Sequence, residues 1–326
     1  MANLLLVDSE PLFNILKNNF LKNAQKRDFL SPNKWAYAHL ALDSENKPQG
    51  CVLSCLSYST WKGVNLGIDY IEADNEETAG LLYKQAVKFA KDCSLTQTRF
   101  YAPFPMKYDW EKFGSTNLTI TEDWDILELG ISEMEKLAKR EITLKGDYSL
   151  KPATKENCKD FVDLCVDLAV YENMREDCWM TEEVVASHAF DQNNKINKAL
   201  NSKEPVVNIW VAVDNSTGKT VGYSCCCPQY NKNHGRYVYL EDLYVDKEHR
   251  GKGLGLTMIQ NIAKWGLKNE CSAYRWACLG WNESSLKFYY SLGAKNLVKN
   301  DEVRMFREDY GAIQENDKEK WLKEAY

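Results

Sequence analysis

Residues 237–255 read YVYLEDLYVDKEHRGKGLG: a strand-like stretch runs into His249-Arg-Gly-Lys-Gly-Leu-Gly255, which packs three glycines into five residues. Beyond the run, Leu256, Ile259, Ile262, Ala263 and Leu267 recur at helical spacing and predict a helix from about Gly253 to Lys268. A strand that enters a glycine-rich turn and then a helix start offers unpaired backbone N–H groups and the positive end of the helix dipole, which together make an anion site. Glycine lets a phosphate approach the backbone, and Arg250 and Lys252 add charge. The glycines alone leave an ordinary strand-to-helix turn open. A Walker loop, GxxxxGK[ST], is absent. A dinucleotide fingerprint requires a parallel βαβ unit, which the flanking hairpins are not expected to supply.

The same succession of elements occurs twice along the chain. WAYAHLALDSENKPQGCVLSCLSYSTWKG (35–63) parallels IWVAVDNSTGKTVGYSCCCPQYNKNHG (209–235), each an apolar strand, a polar turn with glycine and a second strand. A third strand follows, VNLGIDYI or YVYLEDLYV, then a helix, a strand (RFYAPF or YRWACL) and a short helix ending in glycine (DWEKFG or SSLKFYYSLG). Each half closes with a strand and a charged helix, WDILELGISEMEKLAKRE and EVRMFREDYGAIQENDKEKWLKEAY. The boundary is expected near Lys145 to Asp147, with one α/β domain of mostly antiparallel sheet in 1–145 and another in 146–326. The halves differ where the glycine run stands: at EHRGKGLG the first half has ADNEETAG, with one glycine, no arginine and three carboxylates.

The bulk numbers agree with a two-domain globular chain: 326 residues, 44% hydrophobic and 27% charged. No apolar run reaches membrane-spanning length and the N-terminus shows no leader pattern, so a cytosolic protein without membrane contact is expected. Forty-seven acidic against forty-one basic residues give a net charge of −6. That argues against a general nucleic-acid binder and mildly favours a cationic small ligand. The eleven cysteines are scattered without a CxxC pair and read as reduced, buried thiols. Cys225-Cys226-Cys227 alternates faces if it is a strand, so no metal is expected.

Arg250-x-x-Gly253-x-Gly255, preceded by YLEDLYV and followed by WNESSLKFYYSLGA, resembles the Gcn5-related N-acetyltransferases, most closely the spermidine/spermine and thialysine enzymes. The resemblance covers about residues 147–310, including YSLKPATKENCKDFVDLCVDLAVYENM as the family's first strand and helix. It implies tandem acyl-CoA N-acyltransferase folds and acetyl-CoA as donor. By similarity the backbone N–H groups of Arg250, Gly251, Lys252, Gly253, Leu254 and Gly255 hold its pyrophosphate. The backbone of Leu243, Tyr244 and Val245 meets the pantetheine, and Asn282, Glu283, Ser284 and Ser285 meet the far side. The tyrosine of the pair Phe288-Tyr289 is the implied general acid. Tyr171, Glu172, Glu241, Asp242, Arg275, Trp276, Ala277 and Asp301 are implied for the amine.

The chemistry asks for such residues. A primary amine with a pKa near ~10.4 is almost wholly protonated at neutral pH, so a carboxylate must accept a proton before the lone pair can attack. Glu241 stands in the family position for it. An acid near the sulfur, Tyr289, eases departure of the thiolate; the adjacent Tyr290 leaves the choice between the two tyrosines to the family register, with Leu286, Tyr289 and Tyr290 read as candidates for one helix face. Arg175 among Glu176 and Asp177 departs from the polyamine enzymes' acidic run. The first half, with YSTWKG, Gly67 near the Glu241 equivalent and Trp110 near that of Tyr289, reads as a degenerate copy without catalysis. It is expected to cap the live half as an intramolecular pseudo-dimer; a homodimer of full chains stays open. Peptide acetylation, or acyl-CoA binding without catalysis, are the rival functions.

Overall fold

The computed structural model describes residues 2–200, 205–300 and 302–310. The first half contributes strands β1 (Asn3–Leu6), β2 (Tyr37–Leu42), β3 (Pro48–Ser59), β4 (Gly63–Ala73), β5 (Gln97–Pro103), β6 (Thr116–Asn117) and β7 (Trp124–Gly130). The second contributes β8 (Tyr148–Pro152), β9 (Asn208–Asp214), β10 (Lys219–Asn231), β11 (Gly235–Val245), β12 (Ala273–Leu279), β13 (Lys295–Asn296) and β14 (Val303–Asp309). They form two seven-stranded sheets, ordered β1-β2-β3-β4-β5-β14-β6 and β13-β7-β12-β11-β10-β9-β8. The fold is a tandem α/β structure in which each sheet is mixed and mostly antiparallel.

The two sheets are built alike, and they exchange a strand. β14, from the end of the second half, lies against β5 from Val303 opposite Pro103 to Asp309 opposite Gln97. β7, from the end of the first half, lies against β12 from Ala273 opposite Gly130 to Leu279 opposite Trp124. The helix Ile131–Lys139 follows its strand across: Met134 and Leu137 share a core with Ile259 and Ile262 of the helix Leu254–Lys268. Burying a residue of that size contributes about 1.5–3 kcal/mol, so the crossing is held by packing as well as by the strand ladder.

Each sheet contains one parallel pair, β4 with β5 and β11 with β12, joined through the helices Glu76–Asp92 and Leu254–Lys268. This corrects the expectation that the glycine run lies outside a parallel βαβ unit. The hairpins end at β11, and the chain crosses over the sheet before β12. The parallel ladder is short, pairing only Val238–Leu240 with Tyr274–Trp276. Beyond Leu240 the two strands part, and the gap becomes a cleft.

All eleven cysteines are buried and free, as expected of reduced thiols. The interior strand β10 buries Cys225, Cys226 and Cys227 completely. No described helix is long and apolar enough to cross a membrane.

Candidate active site

The parted strands β11 and β12 open a cleft of about 410 Å³, whose far wall is the start of the helix Leu254–Lys268. That helix begins at Gly253, which sits in the left-handed region at φ 94° and caps with no side chain. No side chain among the described residues caps the first-turn N–H groups, and Gly253, Leu254, Gly255 and Leu256, which carry them, line the cleft. Gly251 is also left-handed, at φ 73°, and a Cβ added at Gly251 or Gly255 would meet nothing within 4 Å. It would instead fill the cradle that an anion needs. Arg250 is anchored by Nε donating to the Val245 carbonyl at 2.8 Å, its guanidinium over the rings of Tyr171 and Tyr244. Leu254 lines the cleft, as do Leu243, Tyr244 and Val245, where β11 has lost its parallel partner.

On the opposite wall, the helix Glu283–Ser291 is capped by Asn282, whose Oδ1 accepts from the Ser285 N–H at 3.2 Å and from the Tyr171 hydroxyl at 3.4 Å. Ser284 and Ser285 line the cleft. Tyr289 lies 8% exposed with its ring 4.9 Å from Trp276, and its hydroxyl makes no hydrogen bond among the described residues. Burial, with Cys278, Glu172 and Asp242 nearby, raises its pKa well above the ordinary tyrosine value, so the phenol keeps its proton at neutral pH. Tyr290 is turned outward and accepts from Asn296 at 3.0 Å.

A second, smaller pocket of about 90 Å³ adjoins the cleft, and the two share Glu172, Glu241, Asp242 and Ala277. Half of its wall comes from the first half of the chain: Thr60, Trp61 and Lys62 at the β3–β4 turn, Arg99 on β5 and Trp124 on the exchanged β7. Glu241 is the extra residue of a β-bulge, since Cys225 faces Asp242 and Cys226 faces Leu240. The bulge aims its carboxylate at Arg99, which donates through Nη1 to Oε2 at 2.7 Å and through Nη2 to Oε1 at 2.9 Å. Both of its oxygens are thus engaged by a fork from the other half, a partner that the expectation of Glu241 as proton acceptor did not include. Burial pushes its carboxyl up to about 7, with Arg99 pulling the other way. Asp242 is buried as well, its Oδ2 accepting from Thr60 Oγ1 at 2.5 Å and from the Tyr223 hydroxyl at 2.7 Å.

Other expected residues fall elsewhere. Arg275, expected at the amine, pairs with Glu128 of β7 at 2.6 Å and faces a different pocket, beside Asp69 and His234. Strand alternation between Trp276 and Arg275 gives this away in retrospect. The Lys252 side chain donates to the Tyr148 hydroxyl at 3.0 Å, which leaves its expected backbone role as it was, and Glu283 is exposed and paired with Lys287, so neither side chain lines the cleft. Arg175 donates to the Cys178 carbonyl of its own turn. Asp301 lies outside the described residues, as does the expected C-terminal helix beyond Tyr310. Arg99, Thr60 and Trp124 were missed. The repeat itself held the signal for Arg99, which occupies on β5 the place of Arg275 on β12.

The comparisons with known proteins bear on this cleft. Residues 170–294 match the model of the acetyltransferase (GNAT) family. The mouse thialysine N-epsilon-acetyltransferase is 30% identical over 167 residues, spanning 51% of this chain and 95% of that protein. This chain belongs to the GNAT family of N-acetyltransferases. The human spermidine/spermine N(1)-acetyltransferase-like protein 1 is 25% identical over 49% of this chain and 22% of its own length. A solved tandem GNAT protein from the clavulanic acid biosynthesis pathway has a TM-score of 0.53 at 13% identity, covering 96% of this chain and 99% of that one. It shows that the tandem fold recurs.

Within this GNAT chain the halves are not equivalent. The second offers the uncapped helix start and glycine cradle that suit an acetyl-CoA pyrophosphate. In the first, Asn75 caps the corresponding helix by accepting from the Thr78 N–H at 2.8 Å. A Cβ on Gly80 would come within 2.7 Å of the Phe113 ring. Trp110 packs on Phe100 at 4.6 Å and on Phe113, while Tyr108 and Lys107 both donate to the Ala73 carbonyl. The groove that would take a cofactor is filled with the chain's own aromatic rings. The bulge in β4 falls between Tyr70 and Ile68, which makes Asp69, not Gly67, the counterpart of Glu241.

Proposed function

We propose that the second half transfers acetyl from acetyl-CoA to a primary amine of a small diamine, polyamine or lysine-like substrate, and that the first half shapes the amine's pocket. The meeting of a long donor cleft with a pocket of about 90 Å³ carries this reading. An acceptor pocket of that size, closed on one side by Thr60 and Trp61, suits a short amine better than a peptide. Its charges suit a cation. Arg99 is paired with Glu241, Arg307 with Glu122 and Lys62 with Asp177, which leaves Glu172 and Asp242 as acids without a cationic partner among the described residues. Burial raises both carboxyls and an ammonium beside them favours their ionised forms; close pairing with such a carboxylate is worth on the order of 1 to 4 kcal/mol.

The name of the mouse relative supports the class, since thialysine carries a side-chain amine. Tyr289, kept protonated by burial, is the acid that gives the leaving sulfur its proton. The test is thiol release from acetyl-CoA in the presence of spermidine, short diamines, lysine analogues and peptides, with Tyr289→Phe alongside. Turnover on a small amine that falls on the order of 10²-fold or more in Tyr289→Phe is expected. Turnover on peptides alone would replace the reading with peptide acetylation, and binding of acetyl-CoA without turnover would replace it with a non-catalytic module.

A further inference from the structure

Three carboxylates stand where the donor cleft meets the acceptor pocket, and only one has an unengaged head. Glu241 holds Arg99 with both oxygens, and Asp242 accepts from Thr60 and Tyr223. Glu172, at the end of the helix Cys158–Tyr171, lines both cavities while its carboxylate makes no hydrogen bond or ion pair among the described residues. We infer that Glu172 takes the proton from the incoming amine, and that Glu241, locked by an arginine from the other half, positions the strand bulge beside it. The inference rests on the reading of this site as an amine acetyltransferase.

The electrostatics agree with the geometry. Glu172 faces Glu241 and Asp242 from β11, Cys278 from β12 and Tyr289 from the helix Glu283–Ser291. Arg99, Lys62 and Arg307, the cations around the same pocket, are each committed to another acid, as is Asp177 to Lys62. Burial, then Asp242 and Glu241, push the Glu172 carboxyl up to about 8. A carboxylate that raised is a far stronger base than an ordinary glutamate, and closer in affinity for protons to the amine it must deprotonate.

The proton balance closes. The Glu172 carboxylate takes one proton from R–NH3+, and the freed lone pair forms the C–N bond at the acetyl carbonyl carbon. The C–S bond breaks, and the sulfur takes the proton of Tyr289. A second proton leaving the nitrogen restores the tyrosine, so one proton is released per turnover, from Glu172 to solvent.

Two measurements on the full chain test this. In the first, glutamate carboxyls are labelled with 13C and followed by NMR against pH without any amine present. A resonance titrating near 8 that vanishes in Glu172→Gln is expected; a Glu172 that titrates in the ordinary carboxylate range would overturn the inference whatever the enzyme acetylates. In the second, kcat/KM is profiled against pH with an amine that the wild type turns over. The free enzyme's base must be unprotonated, so the rate should rise as pH passes through about 8. Glu172→Gln should lower kcat on the order of 10²-fold and abolish the rising limb, whereas Glu241→Gln should keep that limb whatever it costs in rate. A Glu172→Gln enzyme that keeps the limb, or that raises KM with kcat unchanged, would show Glu172 to be a binding group only.

Discussion

At the scale of single residues, Arg99 governs how Glu241 behaves. The pair is buried, 13% and 8% exposed at the side chains, and bidentate. Breaking such a pair from one side typically costs about 3–5 kcal/mol, because the remaining charge is left in a dry site. Arg99→Leu is therefore expected to lower the urea midpoint by a corresponding amount at pH 8, while Arg99→Leu with Glu241→Leu recovers much of the loss. The deficit of the single variant should shrink as pH falls. Its stranded carboxyl has a folded-state pKa raised above the unfolded value, so stability present at low pH is lost as pH rises through the raised one. A deficit that is constant from pH 5 to 8 would show that the lost packing, not the stranded charge, is what matters. None of this was legible in YLED. The four letters marked a strand and placed a carboxylate on it, but the partner lies 142 positions away on the other repeat. The choice between Tyr289 and Tyr290 was open for a similar reason. Neighbours on a helix differ by about 100° in direction, and only the packed position of Trp276 decides which ring turns inward.

At the scale of elements, the glycine run was readable because its physics is local. A strand, a turn with two left-handed residues and a helix start define an anion cradle without reference to the rest of the fold. Its topology was less readable. The parallel pairing of β11 with β12 is made across a whole helix, and the hairpin signal that precedes it points the other way. Gly255 separates stability from binding here. It lies inside the helix Leu254–Lys268, with open space where a Cβ would go. Gly255→Ala should gain up to about 1 kcal/mol of helix propensity. The added methyl would enter the cradle, so the same variant should bind CoA at least several-fold more weakly. A thermal melt and calorimetric CoA titration that move in opposite directions are expected. Unchanged CoA affinity would remove Gly255 from the cradle.

At the scale of the whole molecule, the exchange of β7 and β14 turns a sequence repeat into one interlocked body. The repeat was evident from 35–63 and 209–235, since each copy carries its own hairpin signature. Which sheet receives the closing strand was not, because nothing local in WDILELG or EVRMFRED names its partner strand. The exchange has a functional edge: it brings Trp124 to the acceptor pocket and Arg307 to its rim, so that each half lacks part of the site without the other. It also has a thermodynamic one. Alone, 1–145 would expose the edge of β5 and 146–326 that of β12, each a seven-residue row of unpaired backbone groups that invites aggregation. Expressed separately, the halves should be insoluble or form mixed oligomers. Co-expressed from two cistrons, they should associate one to one and restore amine-dependent thiol release. The intact chain, with both edges already paired internally, should sediment as a monomer. A 146–326 fragment that is soluble, monomeric and fully active would show that the first half neither closes the sheet nor builds the pocket. A tight dimer of full chains would instead mean that the internal pairing leaves a second face to be covered.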